Sequence, residues 1–311
     1  MKLFLLQSIT SLVNHIPLPL LQATGRGLGR GAYRIDRRHR DIALVNLRAA
    51  FGGEKGAREL ASIAVRLFEN LGMNMMEFSK IPWLKRSSLK GYVRCEGIEH
   101  LEKALKGGKG VIFITAHLGN WELMAAYYGL TGYPVDVVVR DIDSPLVNEF
   151  VRWVRTRSGN RVVPKRKSMR GLLRTLKSGG IVGVLLDQNV TWSEGVFVNF
   201  FGKLACTNKG AALLAAASGA TVVPTFTVRE GRGHRIIIGH EIEVVKSGNR
   251  SSDVVENTAR FTHAIEEMVR QHPDQWFWIH QRWKSRPEND PRRGTELAAP
   301  VKNDAEPQES R

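Results

Sequence analysis

The stretch VIFITAHLGNWE occupies residues 111–122 and joins an apolar run to the start of a helix. Its first five residues are all β-branched or aromatic and do not alternate with polar ones, which predicts a strand buried on both faces. Gly119 permits the sharp turn that follows, and Asn120 is a favourable N-cap for a helix at about 119–129. A buried strand that turns directly into a helix is the unit from which α/β folds are built.

The same alternation of apolar runs and helical segments continues on both sides of this stretch. The predicted strands are 111–115, 135–139, 181–186, 221–228 and 235–239. The predicted helices are 57–79, 98–106, 119–129, 143–158, 168–178, 207–218 and 252–271. Because helices separate strands that do not alternate, we predict an α/β fold with a central, mostly parallel sheet covered by helices on both faces. This single domain is predicted to span 25–286, and the polar segment 287–311 to be a disordered tail.

Residues 1–24 form the most apolar part of the chain. Their polar residues recur at helical spacing on one face, a pattern typical of a helix that lies in the plane of a membrane interface. Pro17 and Pro19 are expected to break this helix. A strained helix over 3–23 that crosses the membrane once remains an alternative, because such a helix would be about 30 Å long. We therefore predict a membrane-anchoring helix over 1–24.

The chain contains 46 Lys and Arg against 30 Asp and Glu, which gives a formal net charge of +16. Such an excess indicates an anionic partner: nucleic acid, an anionic membrane, or an acidic protein or phosphorylated substrate. One group of cations follows the apolar segment, where only Asp36 opposes it. This group predicts contact with anionic lipid on the cytoplasmic side, with a solvated basic loop as the alternative. Its members are Arg26, Arg30, Arg34, Arg37, Arg38 and Arg40.

A second group of cations lies between residues 150 and 186, where ten Lys or Arg residues occur without a single acid. This patch suits an acidic carrier protein, a phosphorylated acceptor or anionic lipid. Nucleic acid is not expected, because Trp153 is the only stacking aromatic residue within the patch and the chain has no recognition motif. The members of the patch are Arg152, Arg155, Arg157, Arg161, Lys165, Arg166, Lys167, Arg170, Arg174 and Lys177.

His117 follows the buried strand 111–115, and open α/β sheets place their sites at the carboxyl ends of strands. Glu122 falls in the first turn of the next helix, where it could meet the His117 ring, hold one tautomer and stabilise the imidazolium. His117 would then be a general base that needs an external nucleophile, because no G-x-S-x-G elbow is present. The alternative is a structural histidine beside an ordinary helix-start carboxylate.

Signatures of a metal or nucleotide site are absent from the sequence. No H-E-x-x-H motif or second ligand spacing occurs near His117, and the alternating glycines between 25 and 31 follow no strand. We therefore expect neither a metal nor a bound cofactor. Cys95 and Cys206 lie too far apart in sequence for a C-x-x-C pair, so the sequence predicts a reducing compartment and no disulfide framework.

Several blocks of the chain together resemble the late acyltransferases of lipid A biosynthesis, the lauroyl and myristoyl transferases of the glycerolipid acyltransferase superfamily with its H-x4-D/E motif. The likeness extends to about Arg286. The blocks are 117–122; Val139-Arg140 followed by Asn148 and Arg152; Leu186-Asp187-Gln188; 195–202; 220–224; and 276–284. The resemblance implies transfer of a fatty acyl chain from an acyl carrier protein thioester to a hydroxyl of a Kdo-bearing lipid A precursor. It places the enzyme at the cytoplasmic face of the inner membrane.

Within that resemblance, His117 and Glu122 are the expected catalytic residues, and no covalent intermediate is expected. Expected substrate-binding residues are Arg140, Asn148, Arg152, Asp187 and Gln188. Arg140 would hold a phosphate or the oxyanion, or else pair with a neighbouring aspartate. Asp187 would bond acceptor hydroxyls, orient a positive residue or cap its strand. Backbone amides of the turn before the helix at 119–129 are other oxyanion candidates.

Two other functions remain open from the sequence. The first is the same chemistry on another acceptor, a lysophospholipid or a phosphatidylinositol mannoside, with acyl-CoA as donor. The second is a non-catalytic basic protein that binds membrane or nucleic acid. The expected partners of the favoured function are the acyl carrier protein, the anionic glycolipid and the inner membrane.

Overall fold

The computed structural model describes residues 2–139, 143–164 and 169–288. The strands in these ranges are β1 (Val93–Glu96), β2 (Val111–Thr115), β3 (Val135–Val139), β4 (Arg161–Pro164), β5 (Ile181–Leu185), β6 (Gly195–Phe200), β7 (Lys203–Asn208), β8 (Thr221–Glu230) and β9 (Gly233–Ile238). The helices are α1 (Lys2–Asn14), α2 (Leu18–Ile35), α3 (Arg37–Phe51), α4 (Ala57–Phe78), α5 (Ile98–Lys106), α6 (Trp121–Thr131), α7 (Pro145–Thr156), α8 (Met169–Lys177), α9 (Gly210–Ser218) and α10 (Arg250–Gln271).

A seven-stranded sheet in the order β1-β9-β8-β2-β5-β3-β4 forms the centre of the protein. Strands β8, β2, β5, β3 and β4 run parallel to one another, and β9 is antiparallel to β8. Strands β6 and β7 form a separate antiparallel hairpin. The predicted α/β fold with a mostly parallel sheet is therefore confirmed.

Alternate residues of β2 enter two different cores, because successive side chains of a strand point to opposite faces. Val111 and Phe113 pack on one face with Tyr128 of α6. Ile112 and Ile114 pack on the other face with residues of α9 and α10. All five residues of β2 are buried, which explains why its sequence lacks polar alternation.

The sequence missed β1, β4 and the β6–β7 hairpin. Strands β1 and β4 are four-residue edge strands, each with an exposed arginine, Arg94 in β1 and Arg161 in β4, so neither forms a long apolar run. The arginine-rich segment after residue 25 is helical rather than the solvated loop held open as an alternative. It completes α2 and begins α3, where Asp36 caps the helix by accepting the His39 amide hydrogen at 3.1 Å.

The N-terminal apolar segment is divided, as predicted, at its prolines. Helix α1 ends at Asn14 and α2 begins after Pro17, with a bend of 118° between them. No single described helix is both long and apolar enough to cross a membrane; α1 and α2 meet the requirements of length and composition only as this bent pair. The predicted boundary between residues 24 and 25 falls inside α2, so the apolar segment continues into a helix that packs on the α/β domain.

Helix α2 lies unusually close to α4 because glycines face each other across the contact. A Cβ atom added to Gly72 would lie 2.1 Å from the Gly25 carbonyl oxygen, and one added to Gly29 would lie 2.1 Å from the Phe68 carbonyl oxygen. Gly27 lies on the same helix with no atom within 4 Å of such a Cβ. The glycines at 25 and 29 therefore serve helix packing rather than phosphate binding.

We expect Gly29→Ala to destabilise the protein by about 1–3 kcal/mol, because the added methyl group forces α2 away from α4. Gly27→Ala is the matched control: it adds the same methyl group into open space and should stabilise by about 0.5–1 kcal/mol through helix propensity. Urea unfolding in detergent measures both changes. Equal effects of the two substitutions would contradict the proposed helix contact.

Candidate active site

The register of two parallel strands brings His117 beside Asp187. Thr115 of β2 pairs with Leu185 of β5, and the Leu186 amide hydrogen bonds to the Thr115 carbonyl oxygen at 3.0 Å. His117 and Asp187 each lie two positions beyond this pair of residues, so they leave the sheet at the same level. His117 Nδ1 lies 2.8 Å from Asp187 Oδ1.

Both carboxylate oxygens of Asp187 form hydrogen bonds with neighbouring groups. Its Oδ2 accepts the His117 amide hydrogen at 2.9 Å and the Trp276 indole hydrogen at 2.8 Å, and only 1% of its side chain is exposed. Burial alone would raise the pKa of Asp187, but the charge and hydrogen bonds of His117, with the bond from Trp276, hold it below its usual value. An ionised acceptor at Nδ1 requires the proton there, which leaves the Nε2 lone pair available as a base.

Two aromatic rings and a returning segment of chain hold His117 in place. Its ring centroid lies 5.0 Å from that of Trp121 and 5.8 Å from that of Phe277. The Phe277 amide hydrogen bonds to the His117 carbonyl oxygen at 3.0 Å. Gly119 has φ of 55°, and a Cβ there would lie 2.2 Å from the Thr227 carbonyl oxygen, so the turn at residues 116–120 requires glycine.

Glu122 does not make the contact with the His117 ring that the sequence predicted. Its carboxylate forms a two-point ion pair with Arg155 of α7, with Arg155 Nε 2.9 Å from Glu122 Oε2. Within 2–139, 143–164 and 169–288, no ion pair joins Glu122 to His117. Asp187 takes the orienting position instead, because it follows the strand adjacent to β2 in register. The sequence had counted Arg155 only as one member of the basic patch.

An apolar pocket lies between α6 and the sheet, next to this ion pair. Trp121 forms part of its wall and also contacts the His117 ring, so the pocket begins one side chain away from the base. The wall is largely hydrocarbon apart from the Glu122–Arg155 pair. Its residues are Phe113, Thr115, Trp121, Glu122, Met124, Ala125, Tyr128, Val135, Val137, Val139, Arg155, Gly183, Leu185 and Thr225.

The other predicted site residues are divided among three places. Arg140 lies outside the described residues. Asn148 and Arg152 lie on α7 at positions i and i+4, with Arg155 at i+7, so the three share one face of the helix. Gln188 follows Asp187 and is partly buried. Asp187 itself is too buried to reach an acceptor hydroxyl, and the geometry favours the alternative in which it orients a positive residue.

Three of the turn amides proposed from the sequence as oxyanion donors already have acceptors within the protein. The Leu118 amide hydrogen bonds to the Ala116 carbonyl oxygen at 2.8 Å, and that of Gly119 bonds to the Gln275 carbonyl oxygen at 3.0 Å. The His117 amide is held by Asp187. The guanidinium of Arg155 is the charged hydrogen-bond donor in the pocket wall.

Behind the turn, a group of polar side chains surrounds the carboxylate of Glu77 on α4. Arg229 donates to both carboxylate oxygens at 2.6 and 2.9 Å. Burial alone would raise the pKa of Glu77, but hydrogen bonds and charges from His234 and Arg229 hold it well below its usual range. We call this group the Glu77 cluster; its members are Gln22, Asn74, Glu77, Asn120, Arg229 and His234.

The Glu77 cluster contacts the turn at two points. Asn120 donates to Glu77 Oε2 at 2.8 Å while its own carbonyl oxygen caps α6 by accepting the Leu123 amide hydrogen at 3.0 Å. Asn74 donates to the Gly119 carbonyl oxygen at 2.5 Å and accepts from Arg229 at 2.7 Å. The N-cap predicted for Asn120 is confirmed, and Glu77 fixes the orientation of that cap.

Within the described ranges, no group of three or more His, Cys, Asp or Glu residues is arranged to hold a metal ion. Cys95 and Cys206 are free thiols.

The fold and this arrangement define an α/β protein in which a histidine, hydrogen-bonded to a buried aspartate, stands beside a hydrocarbon pocket. The family model of the bacterial lipid A biosynthesis acyltransferases matches residues 2–285, and the chain belongs to this family. It is therefore an acyltransferase of lipid A biosynthesis, as the resemblance in the sequence indicated.

Named relatives agree with this assignment. The lipid A biosynthesis lauroyltransferase of Escherichia coli (strain K12) is 30% identical over 286 residues, which cover 91% of each chain. The lipid A biosynthesis palmitoleoyltransferase of the same organism is 28% identical over 88% of this chain and 87% of its own length. A phosphatidylinositol mannoside acyltransferase of Mycobacterium tuberculosis (strain CDC 1551 / Oshkosh) is 26% identical over 69% of this chain and 68% of its own length.

We expect Glu77→Gln to destabilise the protein by about 3–5 kcal/mol at neutral pH, because Arg229 then lacks its buried counter-charge. Since folding lowers the pKa of Glu77, its ionised form stabilises the fold above its unfolded pKa of about 4.3, and this contribution is lost as the pH falls. The difference in free energy of unfolding between wild type and variant should therefore shrink from about pH 7 to about pH 3.

Glu59→Gln provides the control on the same helix, because Glu59 is exposed and pairs with Lys55 one turn away. It should change stability by less than about 0.5 kcal/mol, with little dependence on pH. Urea titrations at several pH values measure both variants. A difference between wild type and Glu77→Gln that stays constant with pH would contradict this account.

Proposed function

We propose that this acyltransferase moves a fatty acyl chain from an acyl carrier protein thioester to a hydroxyl of a Kdo-bearing lipid A precursor at the cytoplasmic face of the inner membrane. The observation that supports this most directly is the His117–Asp187 pair, which Trp121 joins to the wall of an apolar pocket. Acyl transfer to a hydroxyl needs one base and a place for a hydrocarbon chain. It requires no metal or bound cofactor.

In the proposed reaction, His117 Nε2 removes the proton of the acceptor hydroxyl as its oxygen attacks the thioester carbonyl carbon. The carbon–sulfur bond then breaks, and the thiol leaves with the proton returned by the imidazolium. Asp187 stabilises that imidazolium and keeps Nε2 aimed at the substrate, as in other histidine-based acyl transfer. No covalent bond to the enzyme forms.

Glu122 is proposed to act through Arg155. Their two-point ion pair holds the guanidinium in the pocket wall near the level of His117, where a thioester carbonyl would lie. Negative charge that develops on the carbonyl oxygen would be stabilised by such a fixed cation. Glu122 thus remains a candidate catalytic-site residue, with the placement of Arg155 as its function.

Exposed cations on α7 and α8 support the acyl carrier protein as donor. Arg152 and Arg157 are exposed at the end of α7, and α8 adds Arg170, Arg174 and Lys177. Arg152 and Arg157 are close in sequence to Arg155, so they would steer an acidic carrier toward it and the pocket. Acyl-CoA is the alternative donor.

Exposed apolar side chains on the two N-terminal helices support membrane association. Phe4 and Leu12 of α1 are each 72% exposed, and Ile35 of α2 is 83% exposed. Arginines at 34, 37 and 38 lie next to Ile35 and suit anionic lipid headgroups. Because α1 packs against α7, the membrane-facing helix contacts the helix that presents Arg152 and Arg155.

We expect Asp187→Asn to lower kcat by about 10²- to 10⁴-fold, because an amide can favour the wrong tautomer of His117. Glu122→Gln should also lower activity, through Arg155. The two variants are separated by NMR of ¹⁵N-labelled histidine: only Asp187→Asn should alter the protonation of His117 Nδ1. A change in the protonation of His117 Nδ1 in Glu122→Gln, with none in Asp187→Asn, would mean that Glu122 orients His117 and Asp187 does not.

We expect the double variant Arg152→Glu and Arg157→Glu to raise KM for the acyl carrier protein thioester about 3- to 10-fold, with kcat retained and the effect reduced by salt. Lys106→Glu is the matched control, an exposed charge reversal on α5. Steady-state assays with carrier protein and CoA thioesters, on lipid A precursor, lysophospholipid and phosphatidylinositol mannoside, measure these effects. Preference for a CoA donor or another acceptor would contradict the proposal.

A further inference from the structure

Gly183 lies in the middle of β5, on the face that forms the wall of the apolar pocket. In the sheet register it stands between Phe113 of β2 and Val137 of β3, which belong to the same wall. Glycine weakens a strand interior relative to alanine, because it loses more backbone freedom and has no side chain to pack. The presence of glycine at this position therefore requires a reason.

The backbone does not supply that reason. Gly183 is not among the residues with positive φ. A Cβ atom placed on it would have only one heavy atom within 4 Å, Val135 Cγ1 at 3.0 Å, and would meet no backbone. By contrast, a Cβ on Gly110 would lie 2.5 Å from the Leu176 carbonyl oxygen. What glycine provides at 183 is empty space in the pocket.

Gly183 stands partway down the pocket. The strands β2, β5 and β3 are parallel, so Thr115 and Leu185 mark the end next to His117, and Val135 marks the opposite end. Gly183 lies two residues below Leu185, which is roughly 7 Å along a parallel strand. A side chain at 183 would therefore obstruct the pocket below its entrance while leaving the part beside His117 open.

Polar groups of the pocket are concentrated toward its His117 end. Glu122 and Arg155 pair there, and in the described part of the chain the buried hydroxyl of Thr115 has no hydrogen-bond partner. The Tyr128 hydroxyl is paired with Thr225 Oγ1 at 2.5 Å, so it needs no ligand. This distribution suits a ligand with a polar carbonyl at the His117 end and a hydrocarbon chain beyond it.

We propose that Gly183 determines the length of the acyl chain that the enzyme accepts. The inference rests on the proposed function, in which the pocket takes the donor acyl chain. The missing side chain at 183 leaves a passage between Phe113 and Val137 through which the chain extends toward Val135. A larger residue closes that passage and confines the enzyme to shorter donors.

The test uses the full-length enzyme, with a series of saturated acyl carrier protein thioesters of increasing length and a lipid A precursor as acceptor. Gly183→Leu should lower kcat/KM at least about tenfold for the longest chain that wild type uses well, and less than about threefold for chains that end before residue 183. Gly183→Ala should shift the preference in the same direction by a smaller amount, because its methyl group meets only Val135.

Two further variants separate pocket shape from general damage. Val182→Ala is the control: Val182 is buried on the opposite face of β5, so its loss should change kcat/KM equally for every chain length. Val135→Ala removes the atom that faces the added Cβ, so the double variant of Val135→Ala with Gly183→Ala should recover long-chain activity.

The outcomes for the two proposals are distinct. A wild-type enzyme that transfers no acyl chain from any of these thioesters would overturn the proposed function. If wild type is active but the Gly183 variants lose activity uniformly across chain lengths, the inference about Gly183 is wrong. The same conclusion follows if Val135→Ala fails to restore long-chain activity to Gly183→Ala.

Discussion

The carboxylate of Glu77 is the constraint on which the geometry of this protein most depends. Gln22 of α2, Asn120 at the start of α6, Arg229 of β8 and His234 of β9 all donate hydrogen bonds to it. A buried charge is tolerated only when it is paired and hydrogen-bonded, so none of these elements can move without leaving Glu77 unsatisfied. One carboxylate thus fixes the N-terminal helices, the sheet and the turn that presents His117 relative to one another.

The turn itself is held from both sides, which explains how His117, at the end of a strand, keeps one orientation. Asn74 and Asn120 hold the turn through the Glu77 cluster. On the other side, Phe277 bonds to the His117 carbonyl oxygen, and Trp276 bonds to Asp187. The amides of residues 117, 118 and 119 are also bonded within the protein, which is why the proposed mechanism looks to the side chain of Arg155 for stabilisation of the oxyanion.

The sequence predicted the fold well because its strands are buried on both faces and give uninterrupted apolar runs. It also singled out His117 as a candidate base, since a histidine after such a strand stands at the edge where sites form. It assigned the orienting acid to Glu122 because that residue is near in sequence, whereas Asp187 is near only through the pairing of β2 with β5. Arg155 lies 33 residues from its partner Glu122 in the sequence, and Glu77 lies 152 residues from its partner Arg229. A single sequence contains no measure of such contacts.

The net charge of +16 is spread unevenly over the protein. Four buried or largely buried acids are matched within the fold: Glu77 with Arg229, Asp187 with His117, Glu122 with Arg155, and Asp136 with Arg161. Because each of these pairs joins an acid to an arginine or an imidazole, the pairs do not reduce the excess of positive charge, and residues outside them have to carry it. Exposed cations lie on α2, α3, α7 and α8, so part of this excess lies along the helices proposed to meet lipid and carrier protein.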